Sequence, residues 1–328
     1  MDIKEVFKKV AALKVGIIGD VMLDTYMWGS VERISPEAPV PIVSLQKKEQ
    51  RVGGAGNVAL NIQSLNARPF VLTITGDDDD AKQLHSLFEA QEISTQYSLK
   101  SRERITTNKT RVISRNQHMM RLDAEIIDDI TRAEEEKILQ QFEAFVQNEK
   151  PDIVILQDYN KGILTEAVIR SVISICRKNK ILTAVDPKRK NFFAYKHADL
   201  FKPNLKEAKE ALNIITPAVD TALLQSIHLE LHNLLQHQVS VITLSEKGIF
   251  YQQEDELEII PSHLRNIADV SGAGDTVIAT AALIYAATKN IRLTAEISNI
   301  AGGLVCEEVG TVAINKEKLY HECGALLA

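Results

Sequence analysis

Short β-rich runs alternate with amphipathic stretches of helical period along most of this chain, and no other feature restricts its fold so strongly. The runs are "KVGIIG" at 14–19, "FVLTIT" at 70–75, "DIVIL" at 152–156, "ILTAVD" at 181–186 and "VSVITL" at 239–244. The helical patterns lie near 54–66, 78–91, 131–149, 165–178, 204–213 and 219–236. Strands joined through helices run parallel, so the pattern predicts an α/β fold: a doubly wound, mostly parallel sheet with helices on both faces.

Two regions break the rhythm. "YMWGSVERISPEAPVPIVSL" at 26–45 and "ITTNKTRVISRNQHMMRL" at 105–122 read as strands without intervening helices, and Pro36, Pro39 and Pro41 oppose helix in the first. Together they predict a small antiparallel lid over one edge of the sheet, placed to keep water from a site at the C-terminal ends of the strands. The acidic run "GDDDDAKQL" at 76–84 precedes a helical pattern and reads as N-terminal capping rather than as a metal site.

Composition narrows the function classes. The 328 residues are 45% hydrophobic and 25% charged, with no repeat or low-complexity linker, which is enough for one large core or two modest ones. A net charge of -6, with basic residues in scattered short groups, argues against a nucleic-acid partner. Cys176, Cys306 and Cys323 lack any C-x-x-C spacing, so reduced thiols are expected rather than a disulfide framework or a zinc site. The N-terminus has no signal-peptide pattern, and the longest apolar run, 277–287, is too short for a bilayer core of roughly 30 Å. A cytoplasmic protein without membrane contact is expected.

"GGAGNVALN" at 53–61 and "SGAGDTVIA" at 271–279 share one design, glycines followed by a polar residue and an apolar helix. Gly54, Gly56 and Ala59 satisfy G-x-G-x-x-G/A, which makes a Rossmann-type NAD-dependent dehydrogenase an alternative. The preceding "KKEQRV" is not the buried strand which that fingerprint requires, and no Walker A motif occurs. A glycine loop that opens a helix still binds phosphate, through exposed N–H groups and the positive end of the helix dipole. Gly272 and Gly274 would admit an anion closely. Asp275 beside them has two readings. As structure it is a first-turn carboxylate that suits the dipole. As chemistry it is the base that takes a hydroxyl proton during phosphoryl transfer, kept ionised, weak and always available by the helix N-terminus.

With both loops in view, the chain resembles the ribokinase-like (PfkB) carbohydrate kinases over nearly its whole length. "GGAGNVA" is similar to that family's N-terminal signature, "DVSGAGDT" to its C-terminal one and "KPNLKE" at 202–207 to its N-x-x-E element. "GDVMLDTYMWG" at 19–29, "VERISPEAPVPIV" at 31–43, "RLD" at 121–123, "QDYNKG" at 157–162 and "VDPK" at 185–188 resemble one branch, the D-glycero-β-D-manno-heptose 7-phosphate kinases of ADP-heptose synthesis. Many members of that branch carry a C-terminal nucleotidyltransferase domain. With the chain ending at Ala328, a stand-alone kinase is expected here. Two positions depart from the pattern: Val270 stands where the C-terminal signature has threonine, and Ser245 where a T-x-G-x-x-G nucleotide element, between Thr243 and Gly248, has its first glycine.

The resemblance implies one domain over 1–328 and an ATP- and Mg2+-dependent kinase, with a monovalent-cation requirement left open. It implies that Asp275 accepts the sugar hydroxyl proton while the amides of Gly272, Ala273 and Gly274 hold charge developing on the phosphoryl group. Asn204 and Glu207 would organise Mg2+ and the nucleotide phosphates, Glu207 through water because Mg2+ dehydrates reluctantly. Lys206, Ser245, Gly248 and Asn299 fall on the nucleotide side. Asp20, Asp24, Gly53, Gly54 and Asn57 are candidates for the sugar hydroxyls, which need paired donors and acceptors. Lys109, Arg111, Arg121 and Lys161 are candidates for the phosphate already on the substrate. The implied reaction phosphorylates the anomeric C1 hydroxyl of the heptose 7-phosphate, and another sugar or sugar phosphate is the alternative. Exposed strand edges in the lid predict a homodimer.

Overall fold

A computed structural model, describing residues 2–115 and 117–327, gathers the predicted strands into one eight-stranded sheet. The chain begins with α1 (Ile3–Val10) and β1 (Lys14–Gly19). It leaves the sheet through two long strands, β2 (Val21–Ile34) and β3 (Pro41–Gly54), and returns through α2 (Ala55–Ser64) to β4 (Arg68–Leu72). Next come β5 (Ile74–Gly76), α3 (Asp79–Ala90), β6 (Leu99–Ser101), β7 (Asn108–Ser114) and β8 (Gln117–Ala124). A run of crossovers follows: α4 (Arg132–Glu149), β9 (Ile153–Gln157), α5 (Glu166–Lys178), β10 (Leu182–Asp186), β11 (Leu200–Phe201), α6 (Leu205–Ala211), α7 (Thr221–Leu235) and β12 (Val239–Thr243). A hairpin, β13 (Ile249–Gln253) and β14 (Glu256–Ile260), precedes α8 (Ala273–Thr288), α9 (Ile291–Val305) and α10 (Lys316–Leu326).

The sheet order is β14-β13-β12-β11-β10-β9-β1-β4, parallel from β12 to β4 and antiparallel only in the terminal hairpin. Because successive side chains of a strand point to opposite faces, the buried central strands build two cores. Val15, Ile17, Ile153 and Ile155 pack with α1, α2, α8, α9 and α10 on one face. Ile18, Val154, Leu156 and Val185 pack with α4, α5 and α7 on the other. Helix α8 is apolar all round and is buried from Asp275 to Tyr285, as such a helix must be.

The acidic run caps α3 as expected, Asp78 Oδ1 accepting from Ala81 N at 2.8 Å. It also does more. Asp78 Oδ2 accepts from Thr106 N at 2.7 Å and Asp80 Oδ2 from Asn108 Nδ2 at 2.8 Å, which anchors the start of β7.

The lid is larger than expected and is not wholly antiparallel. It is a four-stranded sheet, β3-β2-β7-β8, whose strands reach back to Val21 and Gly54, well outside 26–45. Its central pair, β2 and β7, is parallel because both strands run outward from the main sheet, Leu23 N donating to Thr107 O at 2.8 Å where they start. Residue 116, inside the predicted 105–122 segment, lies outside the described residues. The run 70–75 also divides. Thr73 Oγ1 turns to Gly19 O at 2.9 Å, β4 stays in the main sheet, and β5 pairs with β6 in a separate ribbon. Among the described residues no helix is long and apolar enough to cross a membrane.

Candidate active site

Strand order reverses about β1, with β4 on one side and β9 on the other, and the crevice at the carboxyl ends there is where ligands bind in open α/β sheets. Asp20 leaves β1, Gln157 ends β9, Asp186 ends β10 and Lys202 follows β11. The N-terminal turn of α8 enters the same crevice and brings Asp275 into it. Asp275 Oδ1 accepts from Gln157 Nε2 at 3.1 Å and from Tyr159 Oη at 2.7 Å, while Oδ2 accepts from Asn57 Nδ2 at 2.9 Å. Burial pushes its carboxyl up to about 6 against the opposing hydrogen bonds from Asn57 and Tyr159, with the Asp186 charge adding to the rise. The expectation of an always-ionised carboxylate is therefore corrected: desolvation outweighs the hydrogen bonds and the Lys202 charge that favour the ionised form. Asn57 is itself fixed by Asn61, whose Nδ2 donates to Asn57 O at 2.8 Å and whose Oδ1 accepts from Thr276 Oγ1 at 3.0 Å.

The glycine loop beside Asp275 opens α8. Gly272, at φ 81°, is the N-cap of α8, and among the described residues no side chain caps that helix. Ala273 N donates to Val270 O at 3.3 Å, which leaves the N–H groups of Gly274 and Asp275 as the ones turned to the crevice. A Cβ at Gly272 would lie 2.8 Å from Asn57 Nδ2. One at Gly274 would enter open space with only Asp186 Oδ2 and Lys202 Nζ within 4.0 Å. Lys202 is buried and pairs with Asp186 Oδ2 at 3.1 Å, and Gln157 Nε2 donates to the same oxygen at 3.2 Å. Lys188 Nζ lies 3.9 Å from Asp186 Oδ1 and pairs with Glu207 Oε1. Burial works against the Lys188 ammonium, but the Asp186 and Glu207 carboxylates outweigh it and raise its pKa.

Asn204 and Glu207 form a reciprocal capping box on α6, Asn204 Oδ1 accepting from Glu207 N and Glu207 Oε2 from Asn204 N, each at 2.8 Å. Both Glu207 oxygens are thus engaged by groups of the protein, Oε1 by Lys188 and Oε2 by Asn204 N. Ser245 takes a left-handed φ of 55° in the 3-10 turn that Gly248 closes. Asn299 Nδ2 donates to Pro261 O at 2.8 Å and so steadies the segment after β14 rather than presenting its amide freely. Lys206 points to solvent, 84% exposed, with Glu210 at 3.8 Å, because it lies on the outer face of α6.

On the lid side, Asp24 Oδ1 pairs with Arg111 Nη1 at 2.6 Å, and Gly53 is glycine because a Cβ there would fall on Asp24 Oδ2. Gly54 caps α2 beside them. Lys161 Nζ pairs with Glu125 Oε1 at 2.8 Å. Among the described residues Lys109 has no carboxylate within ion-pair distance. Its Nζ stands 5.7 Å from the Tyr159 ring centre, and burial, with the Lys161 charge, lowers its pKa. Arg121 sits opposite Arg111 in the sheet register but is exposed and held by Asp123, both contacts at 2.9 Å. The Asp20 carboxylate accepts from the N–H groups of Tyr159, Lys161 and Ile163 at 2.9, 3.0 and 3.3 Å, so it braces the loop that carries Tyr159.

Gln157, Tyr159, Asp186, Lys188 and Lys202 were not among the candidates singled out by sequence reasoning. The signal available was their position: each ends or follows a strand of the parallel run.

The model of the pfkB family carbohydrate kinases matches residues 12–318. The chain is 39% identical over 304 residues to the bifunctional protein HldE of Aliarcobacter butzleri, covering 93% of this chain and 63% of that protein. It is 37% identical over 307 residues to HldE of Helicobacter pylori strain HPAG1, covering 93% and 65%. The chain thus spans less than two thirds of the length of these relatives. Its fold is similar to Escherichia coli phosphofructokinase-2 in complex with potassium, with a TM-score of 0.78 at 16% identity, covering 95% of this chain and 99% of that one. It is also similar to Arabidopsis thaliana ribokinase complexed with ribose and ATP, with a TM-score of 0.73 at 14% identity, covering 94% and 99%. The dehydrogenase alternative falls here, because the strand before Gly54 belongs to the lid and not to the main sheet. A free helix N-terminus beside a buried carboxylate, on this fold and under this family match, leaves one assignment: the chain belongs to the pfkB family of carbohydrate kinases.

Proposed function

We propose that the chain transfers the γ-phosphoryl group of ATP to the anomeric C1 hydroxyl of D-glycero-β-D-manno-heptose 7-phosphate, giving the 1,7-bisphosphate. The observation that carries the chemistry is the Asp275 carboxylate, buried and oriented by three donors at the mouth of an uncapped helix. What supports the heptose is the branch resemblance, above all "RISPEAPVPIV", together with the HldE relatives.

Oδ1 of Asp275 already accepts two hydrogen bonds and Oδ2 one, so the open lone pair on Oδ2 takes the hydroxyl proton. As that O–H bond breaks, the sugar oxygen bonds to phosphorus and the bond from phosphorus to the ADP oxygen breaks. The proton rests on Asp275 until solvent removes it. The Gly274 and Asp275 amides, the α8 dipole and the Lys188 and Lys202 ammoniums face the charge on the transferred group. Mg2+ bound with ATP would offset phosphate charge. The buried Asp186 Oδ1, which has no hydrogen-bond partner among the described residues, is an acceptor suited to a metal-bound water, with Glu207 acting at the same remove. Lys109, Arg111 and Lys161 face the sugar phosphate from the lid side. The same reading takes the assembly as a homodimer joined through the lid, supported by the wholly exposed strand β8.

The test is an ADP-release assay with ATP, Mg2+ and a panel of sugar phosphates. Turnover of the heptose 7-phosphate in preference to fructose phosphates is expected. Selective turnover of a fructose phosphate would replace the heptose with another acceptor, and NAD binding without ATP turnover would remove the kinase reading.

A further inference from the structure

Tyr159 occupies a position that neither the glycine loops nor the N-x-x-E element accounts for. Its backbone is held from below, since Asp20 Oδ2 accepts from Tyr159 N at 2.9 Å and from Lys161 N at 3.0 Å. Its side chain is therefore free to serve the crevice, and it meets three charged groups from three elements. The hydroxyl donates to Asp275 Oδ1 at 2.7 Å. The ring centre lies 5.7 Å from Lys109 Nζ, on the lid strand β7, and 5.9 Å from Lys188 Nζ, beyond β10. Lys188 belongs to the side where Glu207 and the α8 loop gather, and Lys109 to the side proposed for the sugar phosphate. A phenol ring between two ammoniums offers each its negative face, an attraction that strengthens when water is excluded.

We propose that Tyr159 is a positioning residue for the proton-accepting carboxylate, its hydroxyl fixing Asp275 Oδ1 so that Oδ2 meets the acceptor hydroxyl, while its ring seats Lys109. This rests on the reading of Asp275 as the base. Gln157 is the second donor to Oδ1, and it also bonds to Asp186, so its geometry is set by two carboxylates. Tyr159 bonds to Asp275 alone through its hydroxyl, which leaves it as the donor whose direction the base alone determines. The charged groups facing Asp275 are Asp186, Lys202 and Lys188, and those facing the Tyr159 side chain are Asp275, Asp186 and Asp24 together with the Lys109 and Lys188 ammoniums. Burial with the neighbouring carboxylates holds the phenol well above its usual range, so it stays a donor throughout the working pH. The hydrogen bond from Tyr159 favours the ionised form of Asp275, against the burial that raises it. Removing the hydroxyl therefore moves the acid limb of the rate profile toward higher pH.

The experiment compares Tyr159→Phe and Tyr159→Leu with the wild-type protein, using ATP and the best acceptor found in the panel. Because the loop is anchored by backbone N–H groups, both variants should keep the wild-type thermal transition within a few degrees. Tyr159→Phe should lower kcat about tenfold or more, leave KM for ATP unchanged and shift the acid limb upward in pH. Tyr159→Leu should in addition raise KM for the sugar phosphate, because Lys109 loses its aromatic support. An acid limb that does not move in Tyr159→Phe, with kcat within twofold of wild type, overturns the proposal. So does an equal rise of KM for both substrates with an unmoved limb, the mark of a merely structural loss. Failure of the underlying base assignment is read separately: an Asp275→Asn variant that still turns over sinks the base, whatever Tyr159→Phe does.

Discussion

At the scale of single residues, Asp275 joins the electrostatics of the fold to its chemistry. Its carboxyl, pushed up to about 6 by burial, must be ionised to take a proton, so the active form prevails above that pH and falls about tenfold per unit below it. The rate kcat/KM should therefore be level near pH 7 and decline with unit slope below about pH 6. A profile level down to pH 5 would contradict the assignment. Asp275→Asn keeps the volume but cannot accept the proton, and should lower kcat by about 10²- to 10⁴-fold with ATP binding retained, as read by titration of the nucleotide. Asp275 was legible in the sequence because glycines and an apolar helix flank it in one continuous stretch. Its partners were not, because Asn57, Gln157 and Tyr159 lie 218, 118 and 116 positions away and meet it only through the sheet. The loop contacts of Asp20 were not legible for a related reason. A buried carboxylate after the first strand is as suited to backbone N–H groups as to sugar hydroxyls, and only the path of the loop 159–163 decides between them.

At the scale of elements, the first turn of α8 separates what a glycine does for the fold from what it does for a ligand. Gly272→Ala puts a side chain at φ 81° and against Asn57, so it should cost about 1–2 kcal/mol or more and lower the melting temperature. Gly274→Ala meets no protein atom closer than 4.0 Å and replaces a helical glycine, so thermal stability should hold or rise by up to about 1 kcal/mol. Its methyl group would nevertheless enter the space beside Lys202, and kcat/KM for ATP should fall tenfold or more. Equal loss of stability in both variants, or full activity in Gly274→Ala, would contradict an anion site there. The longer strands of the parallel run were legible because burial on both faces leaves an unbroken apolar signature, as in "KVGIIG", whereas the two residues of β11 are too few to leave one. The hairpin of β13 and β14 was not, because its residues Gln252 to Glu258 mix polar and apolar types at the sheet's edge. The lid was read too short because Val21 to Tyr26 are buried against the main body and resemble core.

At the scale of the whole molecule, the lid leaves an edge that a second copy could cover. All eight residues of β8 are exposed, and Met119, Met120 and Leu122 among them are 42%, 57% and 54% accessible. Leu45 and Ile34, on β3 and β2, add 56% and 69%. Apolar side chains on an unpaired strand invite pairing with another sheet edge, and soluble chains normally blunt such edges with charge, proline or a partner. Prolines here sit in the turn and at the start of β3, at 36, 39 and 41, and none lies on β8. A dimer formed through these edges would also stiffen the strands carrying Lys109 and Arg111, so association and acceptor binding would be linked. Sedimentation of the wild-type chain at micromolar concentration should give twice the monomer mass, and Leu122→Glu with Met120→Glu should give the monomer mass. The charged variant should keep its affinity for ATP, since β8 is remote from Lys202 and Glu207 in the topology, while KM for the acceptor rises. A wild-type chain that sediments as a monomer would remove the homodimer, and a charged variant that remains dimeric would move the interface off this edge.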